Sequence, residues 1–479
     1  MFVPSAHALV MENYAEARSF FYTGCLGLFF LFMIAIAASN RKIVESGVRQ
    51  LASLALGFFL LPVFLAIPEY DIIRNTYFIN AYFDMVSALT TTGLVVFEPD
   101  RISETLHLWR ALVAWMGGAL IWLAAAAILA PMNLGGFEVA VNQKAHKAHF
   151  LTAVERKQFL KRTTIALFPL YFALTGFLWL GLTISGLPGF DSLIFSMSIL
   201  ATSGITGVNE LNDFGTNWVA EFIMLLFLFL ALSRGRMNQD RGYWGLGLLP
   251  SGPEFRLGLT IIAFLGFFLA LIQLYAVWSA NLAIFSISTL KTFWADIFTV
   301  TSFLTTNGWS SSYWLETQNW SGVSVPSILF LGIVLIGGGV ATTAGGVKLL
   351  RVYALYANAV REMDRLVHPS SVGQTRSVYQ SELRSRAFIA WIFFMLFVIS
   401  LALITLTLAG TGMSFEVALV SCISALSTTG PLMNMALGDA VDFMTIGAES
   451  KLIMSFAMVL GKLEVLVLLA LFTPEIWRS

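Results

Sequence analysis

Four short stretches of the chain end alike: LTTTGLV at 89–95, LATSGIT at 200–206, LTTNGWS at 304–310 and LSTTGPL at 426–432. Each runs from a leucine through small or hydroxyl-bearing residues to a glycine, with Asn307 the exception among them. The glycines are Gly93, Gly204, Gly308 and Gly430, at intervals of 111, 104 and 122 residues, which is a fourfold internal repeat. The chemistry open to such residues is cation ligation. Glycine lacks a Cβ and adopts φ > 0 readily, so a glycine turn can present its carbonyls to one side. Threonine and serine hydroxyls bond freed backbone groups or offer oxygens themselves. A ring of such oxygens can replace the water shell of an alkali cation. One Thr-Gly pair in an apolar helix is ordinarily close packing; four at matching places in a repeat specify a cation pathway.

The elements that must position these turns are legible in the apolar pattern. The segments 81–97, 191–206, 294–310 and 416–432 are too short to cross a bilayer and too apolar for a watery loop, so they read as re-entrant half-helices. Around them lie nearly charge-free runs at 20–38, 50–68, 111–137, 163–190, 214–233, 257–290, 322–347, 387–415 and 452–473, nine expected spans. A half-helix ends near the bilayer centre, and its C-terminus carries about half a negative charge. The non-helical backbone beyond it is tolerated only where it lines a cavity or packs on protein. The expected fold is an all-α polytopic membrane protein. It has four pseudo-repeats of helix, pore half-helix, filter loop and helix around one central pore, plus one extra N-terminal helix. The expected units are an N-terminal helix at 1–45, pore repeat 1 at 46–138, and repeat 2 with its preceding loop at 139–233. Repeat 3 with an intramembrane loop follows at 234–351, then a linker and repeat 4 at 352–479.

Composition agrees. Of 479 residues, 57% are hydrophobic and 12% charged, with mean hydropathy +0.79, against about 25% charged in soluble domains. That excludes a soluble globular protein, a nucleic-acid binder and a disordered chain. Cys25 and Cys422 lie in apolar segments and read as core thiols. His146 and His149 share a polar loop without a carboxylate or cysteine cluster, so no metal site is expected there. The first 18 residues carry Glu12 and Glu16 and no basic run, so 20–38 reads as a retained anchor rather than a signal peptide. Counting short loops, 21 of the 28 basic residues fall on one side, which the positive-inside rule makes cytoplasmic. All four glycine turns then enter from outside, the N-terminus is periplasmic and the C-terminus cytoplasmic. The outer segments hold Glu69, Asp71, Glu98, Asp100, Glu104, Glu210, Asp213, Asp439 and Asp442, an acidic mouth that would gather cations.

Two further features bear on the path. GGGVATTAGG at 337–346 interrupts an apolar run. It fits no phosphate-binding pattern, and glycines this dense weaken a helix, so a loop within the membrane is expected. Lys462 sits near the middle of the last apolar run and must face a cavity or a partner. Glu464, two residues on, would point away from it on a helix.

At these residues the chain resembles the Trk/Ktr potassium-transporter superfamily, and within it the TrkH-type membrane subunit of bacterial potassium uptake. The carriers are FDMVSALTTTG (83–93), WRALVAWMGGALIWLAAAAILAPM (109–132), SILATSG (198–204), TSFLTTNG (301–308), GGGVATTAGGVKLLR (337–351), SALSTTGP (424–431) and GKLE (461–464). The resemblance implies a potassium filter formed by Thr91, Thr92 and Gly93; Thr202, Ser203 and Gly204; Thr306, Asn307 and Gly308; Thr428, Thr429 and Gly430. It implies a gate formed by Gly337, Gly338, Gly339, Thr342, Thr343, Gly345, Gly346 and Lys462, where the family usually carries arginine in place of the lysine. K⁺ is then the transported ion, with no cofactor bound by this chain. The implied partners are the lipid bilayer, a second copy in a homodimer and a cytosolic nucleotide-binding regulatory subunit of the TrkA type, with no nucleic acid. The implied location is the bacterial inner membrane. Such chains usually have two helices before the first repeat, where this one shows a single run.

The sequence shows no nucleotide motif and no catalytic constellation, so no enzyme activity is expected. The alternative reading is a secondary transporter coupled to H⁺ or Na⁺, which would want a carboxylate in the membrane. Glu221 and Glu464 are the candidates for it.

Overall fold

The computed structural model describes residues 1–39, 47–129, 153–207, 217–232, 237–238, 243–244, 252–280, 287–367, 377–438 and 443–464. Among these the chain is helical apart from turns, loops and one antiparallel pair of two-residue strands, Met237–Asn238 with Tyr243–Trp244. A nine-residue α1 (Phe2–Val10) leads into α2 (Tyr14–Ser39), the extra N-terminal helix. α1 has no counterpart in the sequence expectations and is too short to cross a bilayer.

The repeats follow. Repeat 1 is α3 (Gly47–Ile72), half-helix α4 (Phe78–Leu89) and α5 (Glu104–Ala124), which a π-helical turn extends to Leu129. Repeat 2 is α6 (Ala153–Ile184), half-helix α7 (Gly189–Ala201) and α8 (Trp218–Leu228). Repeat 3 is α9 (Pro253–Ser279), half-helix α10 (Ile287–Leu304), a short α11 (Trp314–Ser321) and α12 (Ser327–Ile336). Residues 337–348 are non-helical, and α13 (Leu349–Val367) resumes beyond them. Repeat 4 is α14 (Ser377–Gly410), half-helix α15 (Phe415–Leu426), a short α16 (Leu432–Leu437) and α17 (Ala448–Leu463).

Among the described residues, six helices are long and apolar enough to cross a bilayer: α2, α3, α5, α6, α9 and α14. Within the described residues the closing helices of repeats 2, 3 and 4 are shorter. In repeat 3 the reason is local: α12 stops where Gly337 takes φ +73, so the apolar run 322–347 holds a helix and a loop rather than one span.

The cores join neighbouring repeats in a cycle. Trp115 of α5 and Tyr171 of α6 share a cluster between repeats 1 and 2. Phe195 of α7 and Phe298 of α10 join repeats 2 and 3. Phe303 of α10 and Ile423 of α15 join repeats 3 and 4. Val86 of α4 and Met458 of α17 lie in the cluster that closes the circle between repeats 4 and 1. The outer faces stay apolar, with Phe264, Phe267 and Tyr275 of α9 exposed, as a lipid-facing surface requires. Cys422 is buried as expected, but Cys25 is exposed on α2 and is no core thiol. His146 and His149 lie outside the described residues.

Candidate functional site

The four half-helices end in the same cap. In each, the backbone N–H just before the glycine reaches five residues back to a serine carbonyl. Thr92 donates to Ser87, Ser203 to Ser198, Asn307 to Ser302 and Thr429 to Ser424, at 2.8–2.9 Å. The residue bridged by this bond is a threonine in the left-handed region: Thr91 (φ 55), Thr202 (φ 49), Thr306 (φ 59) and Thr428 (φ 53). A glycine is usual at that place in a helix cap. A β-branched residue with φ > 0 is a true outlier, and strain of this kind gathers at functional sites. Fourfold repetition makes it a property of the site rather than an accident.

The buttressing serine escaped the sequence reasoning although its signal was present. A serine stands six residues before each of the four glycines. Its hydroxyl also holds the turn: Ser87 donates to the Leu94 carbonyl, Ser424 to the Thr429 carbonyl, Ser198 bonds the Ser203 hydroxyl, and Ser302 accepts from the Trp309 N–H.

The turns abut one another around one axis. A Cβ placed on Gly93 would collide with the Ser203 carbonyl, and one on Gly204 with the Asn307 carbonyl. One on Gly308 would press on Thr429 and Pro431, and one on Gly430 would collide with the Gly93 backbone. Each glycine meets the next repeat, and the fourth meets the first. The negative ends of four half-helices therefore converge on one place.

Glycine was expected to take φ > 0 in all four turns. Gly93, Gly204 and Gly308 do so, at +76, +65 and +83. Gly430 does not. Its N–H donates to the Thr92 carbonyl at 2.5 Å, and Pro431 caps α16, so the fourth turn runs into a helix instead of an extended limb. Asn307 is fully buried, and neither its Oδ1 nor its Nδ2 has a hydrogen-bond partner among the described residues.

The glycine-rich loop lies directly against this ring. Its base is stitched by Val347 N–H to Leu335 O, Lys348 N–H to Ile336 O and Leu349 N–H to Gly338 O, at 2.9–3.0 Å. Its tip touches the left-handed threonines. The Thr202 hydroxyl donates to the Thr343 hydroxyl at 2.8 Å, and the Gly345 N–H donates to Thr306 Oγ1 at 3.0 Å. A Cβ on Gly345 would strike the Ser427 carbonyl and the Thr428 hydroxyl. Lys462 completes the set: its Nζ donates to Thr91 Oγ1 at 2.5 Å and to the Thr343 carbonyl at 2.6 Å. Thr342 is buried in the tip, its hydroxyl bonded to the Gly339 carbonyl at 2.7 Å. Gly337, Gly338 and Gly346 pack against the loop's own backbone or a neighbouring alanine. A cavity of about 20 Å³ lies beside Thr343, Gly345 and Lys462, room for about one water.

The surrounding charges differ from expectation. α17 ends at Leu463, so Glu464 (φ 66) leaves the helix, and it pairs with buried Arg351 at 2.5 Å rather than with Lys462. Glu221 is saturated, accepting from Trp294 Nε1, from the Ser311 and Ser312 hydroxyls and from the Ser312 N–H. The membrane carboxylates are more numerous than Glu221 and Glu464. Asp84 pairs with Arg110 at 2.7 Å, Asp296 accepts from Gln273, and all are buried. Glu69 is also fully buried and is no part of an open mouth.

Four re-entrant helices meeting tip to tip inside a bundle of apolar helices define a polytopic membrane protein built around one pseudo-fourfold pore axis. Residues 254–479 match the TrkH family, described as a cation transport protein. The Trk system potassium uptake protein TrkH of Salmonella typhimurium is 28% identical over 418 residues, covering 84% of this chain and 80% of that one. TrkI of Halomonas elongata is 26% identical over 440 residues, covering 88% and 81%. The crystal structure of the potassium transporter TrkH from Vibrio parahaemolyticus superposes with a TM-score of 0.80 at 24% identity, over 100% of this chain and 96% of that one. The C-terminal half of the chain thus resembles the TrkH family, and over most of its length the chain is similar to Trk potassium uptake proteins.

Proposed function

We propose that the chain takes up K⁺ along its electrochemical gradient through the ring of glycine turns. The observation that carries this is the closed cycle of contacts from Gly93 through Gly204 and Gly308 to Gly430. Thr91, Thr92 and Gly93, with their counterparts at 202–204, 306–308 and 428–430, form the filter, and the units 46–138, 139–233, 234–351 and 352–479 each supply one quarter of it. Backbone oxygens here replace the ion's hydration. A potential of −100 mV is worth about 2.3 kcal/mol per unit charge, so a gated pore concentrates K⁺ roughly fortyfold without a chemical engine.

The loop 337–348 is the gate, with Gly337, Gly338, Gly339, Thr342, Thr343, Gly345, Gly346 and Lys462. It lies across the filter's inner end, and the Lys462 ammonium opposes an arriving cation. Coupling to H⁺ or Na⁺ through Glu221 or Glu464 finds no support, because Ser311, Ser312, Trp294 and Arg351 occupy those carboxylates. The chain works in the bacterial inner membrane as a homodimer, N-terminus periplasmic and C-terminus cytoplasmic. A cytosolic nucleotide-binding subunit of the TrkA type sets the gate, and this chain itself performs no catalysis.

The test is ⁸⁶Rb⁺ uptake into proteoliposomes of the purified chain under a K⁺ gradient. Uptake blocked by external K⁺ more strongly than by Na⁺ supports the reading; no uptake in wild type or in Lys462→Ala overturns it.

A further inference from the structure

Among the residues that follow the four glycines, Leu94, Ile205 and Pro431 bring no side-chain donor, whereas repeat 3 brings Trp309. The Trp309 indole N–H crosses into the neighbouring repeat and donates to the Gly204 carbonyl at 3.0 Å. That carbonyl belongs to the second glycine turn, at a residue whose φ of +65 and missing Cβ leave its peptide free to swing.

The donor is held from every side. The Trp309 N–H is bonded to Ser302 Oγ of its own half-helix at 2.8 Å. Two residues on, the Ser311 N–H donates to Thr299 Oγ1, and Glu221 grips Ser311 and Ser312. The ring stands edge-on to Phe195 of α7, with centroids 5.2 Å apart and planes at 86°. Trp309 is 5% exposed, so no water competes freely for its N–H.

We infer that Trp309 is a positioning residue for ion discrimination: its indole fixes the Gly204 carbonyl, so that the second turn cannot follow a smaller ion inward. A site whose carbonyls close freely around Na⁺ loses its preference for the larger K⁺. The inference rests on the uptake reading above, and it assigns to a side chain outside the four turns a share of their selectivity.

The test compares the purified chain, Trp309→Phe, and a variant carrying β-(3-benzothienyl)alanine at 309, which keeps the bicyclic shape and replaces N–H by sulfur. The readout is the ratio of Na⁺ to K⁺ concentrations that half-block ⁸⁶Rb⁺ uptake into proteoliposomes. Loss of one net hydrogen bond should lower that ratio about fivefold in both variants, with uptake retained. A benzothienyl variant with the wild-type ratio would show that shape alone matters and would overturn the inference, even if Trp309→Phe misfolds. Uptake absent from the wild type would overturn the uptake reading, and the inference with it.

Discussion

The ring of glycine turns and the glycine-rich loop are both non-helical backbone buried among helices, but they are held differently. Each turn of the ring is tied to its own half-helix by bonds that reach five residues back, and by a serine six residues before its glycine. The tip of the loop is held by groups remote in sequence: Thr202, Thr306, Lys462 and, through Val340 N–H, the Glu254 carboxylate. Local bonds persist when neighbouring repeats shift. Long-range bonds to a tip whose base is stitched separately can break together and leave both the base and the ring intact. On the proposed reading, one region keeps its shape and the other lets go.

The comparison is broken most severely by Gly93→Ala. The new Cβ meets the Ser203 carbonyl and forces a side chain into φ +76. With about 1–2 kcal/mol of strain, K⁺ over Na⁺ discrimination in ⁸⁶Rb⁺ competition should fall by tenfold or more. Gly430→Ala should fall short of that, because Gly430 lacks the left-handed φ, and equal losses would contradict the distinction between the turns. Lys462→Ala removes two short bonds, one to the Thr343 carbonyl of the loop tip and one to Thr91 Oγ1 of the first turn. Basal uptake should rise about tenfold, a larger change than any in discrimination, given about 1.5 kcal/mol for a charged hydrogen bond. Thr343→Val removes the bond to Thr202 and should raise uptake about fivefold, again with a smaller change in discrimination. Ser198→Ala sharpens the other half of the contrast. Losing the bond to Ser203 should cost about 1 kcal/mol, read as a fall in discrimination with little change in basal flux.

Much of this was legible in the sequence because the repeat is written in residue types that have few substitutes. Glycines at 93, 204, 308 and 430, each closing a short apolar segment, pointed to four half-helices, and α4, α7, α10 and α15 occupy those segments. The left-handed threonines were not legible, because a β-branched residue argues against φ > 0. The cap bond to the serine carbonyl overrides that preference, and such a bond has no signature of its own. The run 322–347 read as one span because hydropathy does not mark where a helix stops, and it hides the break at Gly337. The Arg351–Glu464 pair joins residues 113 apart, and no local pattern announces it. Glu221 looked available for proton coupling since its serine partners sit about ninety residues away, in the limb that follows Trp309.

The central claim is that one ring of peptide oxygens, supplied in quarters by a single polypeptide, coordinates the passing ion. Anomalous diffraction from crystals of the full chain grown in Rb⁺ tests it most directly. A peak on the axis between the turns of Gly93, Gly204, Gly308 and Gly430, lost in Gly93→Ala, is the predicted result. Rb⁺ bound only elsewhere, beside Asp84 or Asp296 for instance, with the ring empty, would contradict it.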